Sequence, residues 1–194
     1  MNLVHRWYCR SPGWAKVVHQ YMMPGVIGDK DLGSDVLEIG PGPGHTTDWL
    51  RERVPRLTAI EIDGRLAASL KARLAGTNVT VVEGDGTAMP FPDASFSSAI
   101  CFTMLHHVPS PELQDRLLAE ACRVLRPGGV IVGSDSTPSW RWNLFHVFDT
   151  RTPVDPDGFV SRLEAAGFVE AGVHRGQNYF SFSAVKLSAA QSAS

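Results

Sequence analysis

The stretch VLEIGPGPGH, Val36 to His45, decides the fold. It begins as a short apolar strand and then enters a turn of three glycines separated by prolines. A strand that leads through a glycine-rich turn into a helical pattern is typical of the first unit of an open α/β sheet. Glu38 inside this strand needs an explanation, because an unpaired buried carboxylate is unfavourable.

Apolar segments of strand length alternate with helical patterns over most of the chain. The predicted strands are Asp35–Ile39, Leu57–Ile62, Val79–Glu83, Ser97–Phe102 and Val130–Ser134, and the predicted helices between them are His45–Val54, Gly64–Ala75 and Pro111–Leu125. Residues 84–96 have no helical pattern, so we expect one crossover to be a loop. Strands that are apolar on both faces predict a mostly parallel sheet with helices on both faces. The fold class is therefore α/β, doubly wound and Rossmann-like.

The C-terminal part departs from this alternation. A helix is predicted over residues 156–166 and two strands follow, joined around the sequence RGQN. Two adjacent strands joined by a short turn must be antiparallel. We therefore expect the sheet to end with an antiparallel strand.

Composition limits the classes of function. The 194 residues are 43% hydrophobic and 20% charged with a formal net charge of −2, which fits one globular domain. The absence of a basic run or stripe argues against a nucleic-acid partner. Cys9, Cys101 and Cys122 lack a metal-binding or paired spacing, so we expect reduced thiols, no metal and a cytoplasmic location. The sequence predicts neither a signal peptide nor a membrane span.

The glycine turn and its acid favour a ligand that carries positive charge. Gly40 and Gly42 match a dinucleotide fingerprint, but His45 stands where the third glycine should be. A pyrophosphate would be repelled by Glu38, whereas a cationic ligand would be attracted. Structural alternatives remain: the turn could serve tight strand-to-helix packing, and Glu38 could be a hydrogen-bonding acid unrelated to a ligand.

Two further acids are predicted at the same edge of the sheet. Glu61 follows Gly44 by 17 residues, close to the distance at which α/β nucleotide folds place an acid on a ribose. Asp63 is the rival and is better suited to cap the next helix. Asp85 lies between glycines after the third strand, where it could accept a hydrogen bond from an exocyclic amine or simply form a turn.

Together these segments resemble a class I S-adenosylmethionine-dependent methyltransferase. VLEIGPGPG resembles the first motif of that family, AIEID its ribose-binding acid, EGDGTAMPFPDASFSSAI its adenine-binding loop and fourth strand, and RVLRPGGVIVGSD its fifth strand. The resemblance runs from about Val36 to Asp135. The sequence is most similar to the small-molecule group that includes methyltransferases of quinone biosynthesis.

The resemblance implies S-adenosylmethionine as the cofactor and S-adenosylhomocysteine as the product. The residues implied to border it are Glu38, Gly40, Pro41, Gly42, Gly44, Glu61, Ile62, Asp85, Gly86, Phe102 and Thr103. Glu38 would meet the ammonium of the methionine moiety, directly or through water. Glu61 would bind the ribose hydroxyls, and Asp85 would accept from the adenine amine.

The remaining implied contacts are apolar or backbone contacts. Ile62 would pack on adenine, and Gly86 would allow the ligand to approach the loop closely. Phe102 and Thr103, at the end of the fourth strand, would line the methyl-donor side.

Methyl transfer from a sulfonium is an in-line displacement, so the protein contributes mainly alignment and exclusion of water. A base is needed only if the acceptor must lose a proton. His106 and His107 are the candidates, with His107 preferred, because histidine titrates near neutral pH. A structural role for either histidine is the alternative.

Aromatic residues in the N-terminal segment and in the insert after the fifth strand predict a small aromatic or hydrophobic acceptor. They are Trp7, Tyr8, Trp14, Trp140, Trp142, Phe145, His146 and Phe148. These side chains could instead belong to the core or to a dimer contact, and both a monomer and a homodimer are compatible with the sequence.

We predict a single domain over residues 1–187. It comprises an N-terminal helical lid segment (1–30), a cofactor-binding core (35–135) and a variable substrate-side insert (136–155), followed by a disordered tail (188–194). Two other functions stay open. One is a non-catalytic module that binds adenosylmethionine. The other is an NAD(P)-dependent oxidoreductase, which would need the missing third glycine and a substrate domain.

Overall fold

The computed structural model describes residues 10–137 and 151–188. Its seven strands form one sheet in the order β3-β2-β1-β4-β5-β7-β6. The strands are β1 (Asp35–Ile39), β2 (Arg56–Glu61), β3 (Val79–Glu83), β4 (Phe96–Phe102), β5 (Leu125–Ser136), β6 (Phe168–Arg175) and β7 (Tyr179–Lys186). The pairs among β1 to β5 are parallel, and β7 runs antiparallel to both β5 and β6. The predicted fold class is confirmed.

Helices surround this sheet. They are α1 (Pro12–Val17), a π-helical turn (Val18–Met22), α2 (Met23–Ile27), α3 (His45–Leu50), α4 (Gly64–Arg73), a 3-10 turn (Leu105–His107), α5 (Pro111–Val124) and α6 (Phe159–Ala165). Local capping explains where several of them begin. The Ser110 side chain accepts from the Leu113 amide at 3.3 Å, with Pro111 at the first helical position of α5.

Both faces of the sheet are covered because successive residues of β1 point to opposite sides. Val36 belongs to a buried cluster with Met23 of α2 and Trp49 of α3. Leu37 belongs to a second cluster that contains Leu117 of α5 and residues of α6. The continuous apolar pattern of β1 therefore reflects burial on both faces.

Some predicted boundaries were wrong. β5 begins at Leu125, five residues before the predicted start, because Leu125 already pairs with Phe96 and the RPGG segment forms an irregular part of the strand. The helix α3 ends at Leu50 and not at Val54, because the chain tightens into a turn in which the Arg53 amide donates to the Leu50 carbonyl at 2.8 Å, and Pro55 disfavours a helical conformation at Val54. The helix α6 begins at Phe159 and not at Pro156.

The described part of the N-terminal segment is a layer of the core. Val18 and Met23 are buried on the face of the sheet that α3 also covers, and His19 Nε2 lies 2.8 Å from the His45 carbonyl oxygen. The lid role predicted for residues 1–30 stays a prediction, and residues 1–9 lie outside the described residues. The predicted acceptor residues Trp7, Tyr8, Trp140, Trp142, Phe145, His146 and Phe148 and the tail from residue 189 lie outside them as well.

None of the helices in residues 10–137 and 151–188 has the length and apolar character needed to cross a membrane.

Candidate functional site

Parallel pairing brings the carboxyl ends of four strands to one edge of the sheet. Ile39 is in register with Ile60 of β2 and with Cys101 of β4, and Glu61 is in register with Glu83 of β3. Backbone hydrogen bonds continue past the strand ends, from Gly40 N to the Ile60 carbonyl at 2.9 Å and from Gly84 N to the Glu61 carbonyl at 3.0 Å. The predicted site residues after these strands are therefore neighbours.

The glycine loop between β1 and α3 needs a backbone that residues with a Cβ rarely adopt. Gly40, Gly42 and Gly44 have φ values of 68°, 56° and 92°. A Cβ built on Gly42 meets no atom within 4 Å, whereas one on Gly44 would lie 2.4 Å from Leu70 Cδ2. Gly42 therefore faces open space, and Gly44 is a packing contact with α4.

Glu38 is buried beneath this loop, with 2% of its surface exposed. The Thr46 hydroxyl donates to its Oε1 atom, while Oε2 makes no hydrogen bond with any residue in the described part of the chain. Burial raises the pKa of Glu38 to about 7, against the opposite effect of the neighbouring Thr46 and Thr47 hydroxyls. The nearby Asp48 and Glu61 carboxylates raise this pKa further. A nearby cationic group would satisfy Oε2 and favour the ionised form.

Glu61 is also buried and joins the glycine loop to the end of β2. Its Oε2 accepts from the Gly42 amide and its Oε1 from the Asp63 amide, both at 2.9 Å. Each carboxylate oxygen has a second lone pair that can accept another hydrogen bond. Asp63 caps α4 by accepting from Arg65 N at 2.9 Å, as its position predicted. The two neighbouring acids therefore have different roles.

Asp85 is exposed at the same edge, where its Oδ1 accepts from the Thr87 amide at 2.8 Å. Ile62 is also 70% exposed, an unusual exposure for a large apolar side chain at the end of a buried strand. Both placements are compatible with the predicted adenine contacts, which stay predictions.

Two of the predicted cofactor residues pack against the core. A Cβ on Gly86 would lie 3.1 Å from Leu117 Cδ1 and 3.2 Å from Ile39 Cγ2. Phe102 is buried in the cluster that contains Met23. Their predicted contacts with the cofactor stay predictions.

Thr103 occupies a strained position directly after β4. Its φ is +49°, which is an outlier for a β-branched residue, and its amide donates to the Ser134 carbonyl at 2.7 Å. Strain of this kind is found most often at functional sites. Thr103 is only partly buried, so it can face a ligand at this edge.

The two candidate histidines lie in the 3-10 turn that follows Thr103, and they differ in environment. His106 is buried and pairs through Nδ1 with Asp135 of β5, which also accepts from the His106 amide at 3.1 Å. His107 is partly exposed, and its ring centroid lies 4.1 Å from that of His106. His106 is thus held by the core, while His107 has access to the edge.

A buried amide fixes this turn against its surroundings. Gln114 of α5 donates to the carbonyl oxygens of Leu105 at 3.0 Å and Thr152 at 2.8 Å, and its own oxygen accepts from Arg162 at 3.0 Å. The His106 carbonyl in turn accepts from the Thr152 amide at 2.8 Å. Thr152, near the end of the insert, is therefore tied to the 3-10 turn that carries the two histidines.

Sequence reasoning missed Thr46, Gln114 and Asp135. Asp135 was within reach, because it is an acid at the carboxyl end of a strand like the acids that were singled out. Thr46 and Gln114 carried no such signal, since their importance depends on contacts that only the folded chain forms.

A cleft of about 370 Å³ also opens beside the glycine loop. Gly42 and Pro43 line one side and Arg73 of α4 another. Gly42 is thus shared by the cleft and the predicted site, whereas Glu61 and Asp85 do not line the cleft.

Comparison with known proteins agrees with this arrangement. The family model described as "Methyltransferase domain" matches residues 37–133, half of the chain. A probable S-adenosylmethionine-dependent methyltransferase of Mycolicibacterium smegmatis is 33% identical over 142 residues, which cover 70% of this chain and 52% of that protein. The chain thus spans about half the length of this relative.

Two other similarities bear on the acceptor and on the fold. A probable ribosomal RNA small subunit methyltransferase A of Haloarcula marismortui is 42% identical over 96 residues, 47% of this chain and 32% of that protein. A Haemonchus contortus phosphoethanolamine N-methyltransferase, solved with phosphomonomethylethanolamine and S-adenosylhomocysteine, matches with a TM-score of 0.73 and 15% identity over 95% of this chain and 56% of its own. That likeness shows a shared fold. The chain therefore belongs to the methyltransferase domain family, and its sequence and fold are those of a class I S-adenosylmethionine-dependent methyltransferase domain.

Proposed function

We propose that this chain transfers a methyl group from S-adenosylmethionine to a small aromatic or hydrophobic acceptor. One observation carries the proposal: around an open glycine loop, Glu38 lies near the end of β1, Glu61 ends β2 and Asp85 follows β3. A ligand with an ammonium group, a ribose and an adenine amine offers one complementary group to each acid.

The cofactor, when bound, supplies an electrophilic methyl group, and the residues of this chain hold and align it. Glu38 is suited to the ammonium because its Oε2 atom is buried without a hydrogen-bond partner among the described residues. Glu61 is already fixed by the amides of Gly42 and Asp63, so it can receive the ribose hydroxyls with little loss of side-chain entropy.

His107 is our candidate for a proton acceptor when the methylated atom carries a proton. It is partly exposed at the end of β4, and its neighbour His106 is held by Asp135 in the core. His106 and Asp135 would act as positioning residues that keep the turn in place. This division of roles follows from burial, because only an accessible ring can reach an acceptor.

The first test is a calorimetric titration with S-adenosylmethionine and S-adenosylhomocysteine, with NADH as a control. We expect both adenosyl compounds to bind, and Glu61→Ala and Asp85→Ala to weaken binding by at least about tenfold, since each removes a charged hydrogen-bond acceptor. Glu83→Ala is a matched control, because Glu83 is an exposed acid on the neighbouring strand. Binding of NADH, or full affinity in both site variants, would contradict the proposal.

A second experiment tests for turnover. Acceptors are screened for release of S-adenosylhomocysteine, and His107→Gln is then compared with wild type on any acceptor found. A base role predicts a slower methyl transfer with an unchanged affinity for S-adenosylhomocysteine. Absence of turnover with every acceptor class would favour the non-catalytic module.

A ribosomal RNA acceptor is the second candidate, and it rests on the similarity to the Haloarcula marismortui protein. The near-neutral net charge of −2 favours the small acceptor. The Haemonchus contortus structure, which holds a small phosphorylated amine, is compatible with it. Including ribosomal RNA in the screen separates the two, because methylation of RNA alone would overturn the small-molecule proposal.

The proposed location is the cytoplasm. Cys101 and Cys122 are free thiols buried in the core, and burial raises the pKa of each. Free thiols are typical of a reducing compartment. A fluorescent fusion that is exported from the cytoplasm would contradict this proposal.

A further inference from the structure

The loop that carries Asp85 has an unusual construction. Residues 84–95 connect β3 to β4 without a helix, and Pro90 and Pro92 have no amide hydrogen to donate. The backbone groups of such a loop need partners outside it. The helix α5 supplies them from Glu120 and Arg123, and Leu117 of the same helix face packs against Gly86.

Arg123 makes most of the contacts. Its guanidinium donates from Nη1 to the Phe91 carbonyl at 2.8 Å and from Nη2 to the Met89 carbonyl at 3.0 Å. It also donates from Nη1 to the Asp93 carboxylate at 2.7 Å. One side chain thus binds three residues of the loop.

Glu120 orients this guanidinium and binds the loop as well. It accepts from Arg123 Nε at 2.7 Å and from Nη2 at 2.8 Å, a bidentate geometry that fixes the plane of the guanidinium. Its Oε2 also accepts from the Met89 amide at 2.8 Å. Met89 is therefore held through both its amide and its carbonyl group.

The constraint extends from Met89 to Asp85. The Ala88 amide donates to the Asp85 carbonyl at 3.1 Å and the Thr87 amide to the Asp85 carboxylate, which closes a tight turn. Gly86 packs against Leu117 of the same helix. The position of the Asp85 carboxylate is therefore determined by a short turn whose far end Arg123 and Glu120 hold.

We propose that Arg123, oriented by Glu120, is a positioning residue for recognition of the adenine amine by Asp85. The Arg123 side chain binds the loop at Met89, Phe91 and Asp93, the Arg123 carbonyl oxygen accepts from the Ala94 amide at 3.1 Å, and Arg123 acts on the ligand through the loop. The inference rests on the proposed cofactor function. No helix connects β3 to β4 in residues 84–95, and Arg123 of α5 holds this loop in place instead.

The test compares two ligands on each variant. S-adenosylhomocysteine carries the adenine amine, whereas S-inosylhomocysteine carries a carbonyl oxygen there. We expect wild type to prefer the adenosyl compound by at least about tenfold, since a hydrogen bond to a charged acceptor is lost in the inosyl compound. Arg123→Met should reduce this preference to about twofold or less, with Arg123→Lys and Glu120→Gln intermediate.

The ratio of the two affinities is the informative quantity, because partial unfolding of a variant lowers both apparent affinities equally. Arg116→Met is the matched control, since Arg116 is exposed on the same helix and its loss changes the charge by the same amount. It should keep the wild-type preference. An undiminished preference in Arg123→Met would overturn this inference alone. Failure of wild type to bind S-adenosylhomocysteine would overturn the proposed cofactor function and this inference with it.

Discussion

At the scale of single residues, the environment of Glu38 determines its chemistry. A buried carboxylate with one oxygen lacking a partner in the described chain is unfavourable for the folded protein. The raised pKa, about 7, expresses this effect. The same feature makes Glu38 a specific receptor for a cation, because a positive ligand removes the unfavourable interaction. An ionised Glu38 therefore favours binding of a cation but lowers the stability of the ligand-free protein.

Glu38→Gln is expected to stabilise the protein at pH 8 and to change its stability little at pH 5. The pKa of Glu38 is raised to about 7 from 4.5, so the folded state binds the proton more tightly and wild-type stability falls as pH rises through that window. Glutamine cannot ionise and removes this loss. The difference in unfolding free energy between variant and wild type should be about 3 kcal/mol larger at pH 8 than at pH 5.

Urea unfolding at the two pH values measures this difference, with the exposed Glu83→Gln as control. The gain in stability should come with weaker binding of S-adenosylhomocysteine above pH 7, where wild type offers a carboxylate to the ammonium. If the difference in unfolding free energy between Glu38→Gln and wild type is the same at pH 5 and pH 8, folding does not raise the pKa of Glu38.

At this scale, the positions of the acids along the sheet could be predicted from the sequence, whereas the packing of individual side chains could not. Glu38, Glu61 and Asp85 could be predicted because a parallel sheet collects its strand ends at one edge. Whether Gly86 and Phe102 face a ligand or the core depends on packing against α5 and α2, which no local pattern reports.

At the scale of elements, two glycines of the loop between β1 and α3 differ in role: Gly42 faces the space predicted for the ligand, and Gly44 contributes to stability. Gly42 and Gly44 both have positive φ, but only Gly44 packs closely against α4. The sequence motif presents these glycines as equivalent. The structure gives them different neighbours.

Substituting alanine at each position should separate the two roles. Gly44→Ala is expected to destabilise the protein by about 3 kcal/mol, from the left-handed backbone together with the overlap with Leu70. Gly42→Ala should destabilise it by only about 1 kcal/mol. It should nevertheless weaken binding of S-adenosylhomocysteine at least about tenfold, because the new methyl group enters the open space beside the loop.

Thermal and urea unfolding give the stabilities, and calorimetry at a temperature where both variants are folded gives the affinities. Equal losses of stability at the two positions, or an unchanged affinity in Gly42→Ala, would refute the assignment of open space to the ligand.

The elements themselves were predictable to within a few residues where the pattern was strong, as at Asp35–Ile39. The start of β5 was missed because RPGG has the composition of a turn, although Leu125 already pairs with β4. The role of Arg123 was beyond prediction, since its partners Met89 and Phe91 are 34 and 32 residues away in sequence.

At the scale of the whole molecule, the sheet joins a half that carries the predicted cofactor contacts to a half formed by β6, β7 and α6. Glu38 lies in β1, Glu61 ends β2, and the glycine loop and Asp85 follow β1 and β3. In the other half, Phe180 and Phe182 of β7 pack on Phe159 of α6. This half carries none of the predicted cofactor contacts. Its contribution to the site is indirect. Arg162 of α6 donates to Gln114 of α5, and Gln114 in turn donates to the Leu105 carbonyl in the histidine turn.

The strand order has a consequence for the chain as it leaves the ribosome. β7 lies between β5 and β6, although it follows β6 in the sequence. The first five strands can pair as they emerge, but β6 has no place in the sheet until β7 arrives and fills the position between them. Until then the outer edge of β5 stays open, and an open edge can pair with another nascent chain. During synthesis, the part that carries the predicted cofactor contacts is therefore able to form first, and β6 joins it only when β7 inserts.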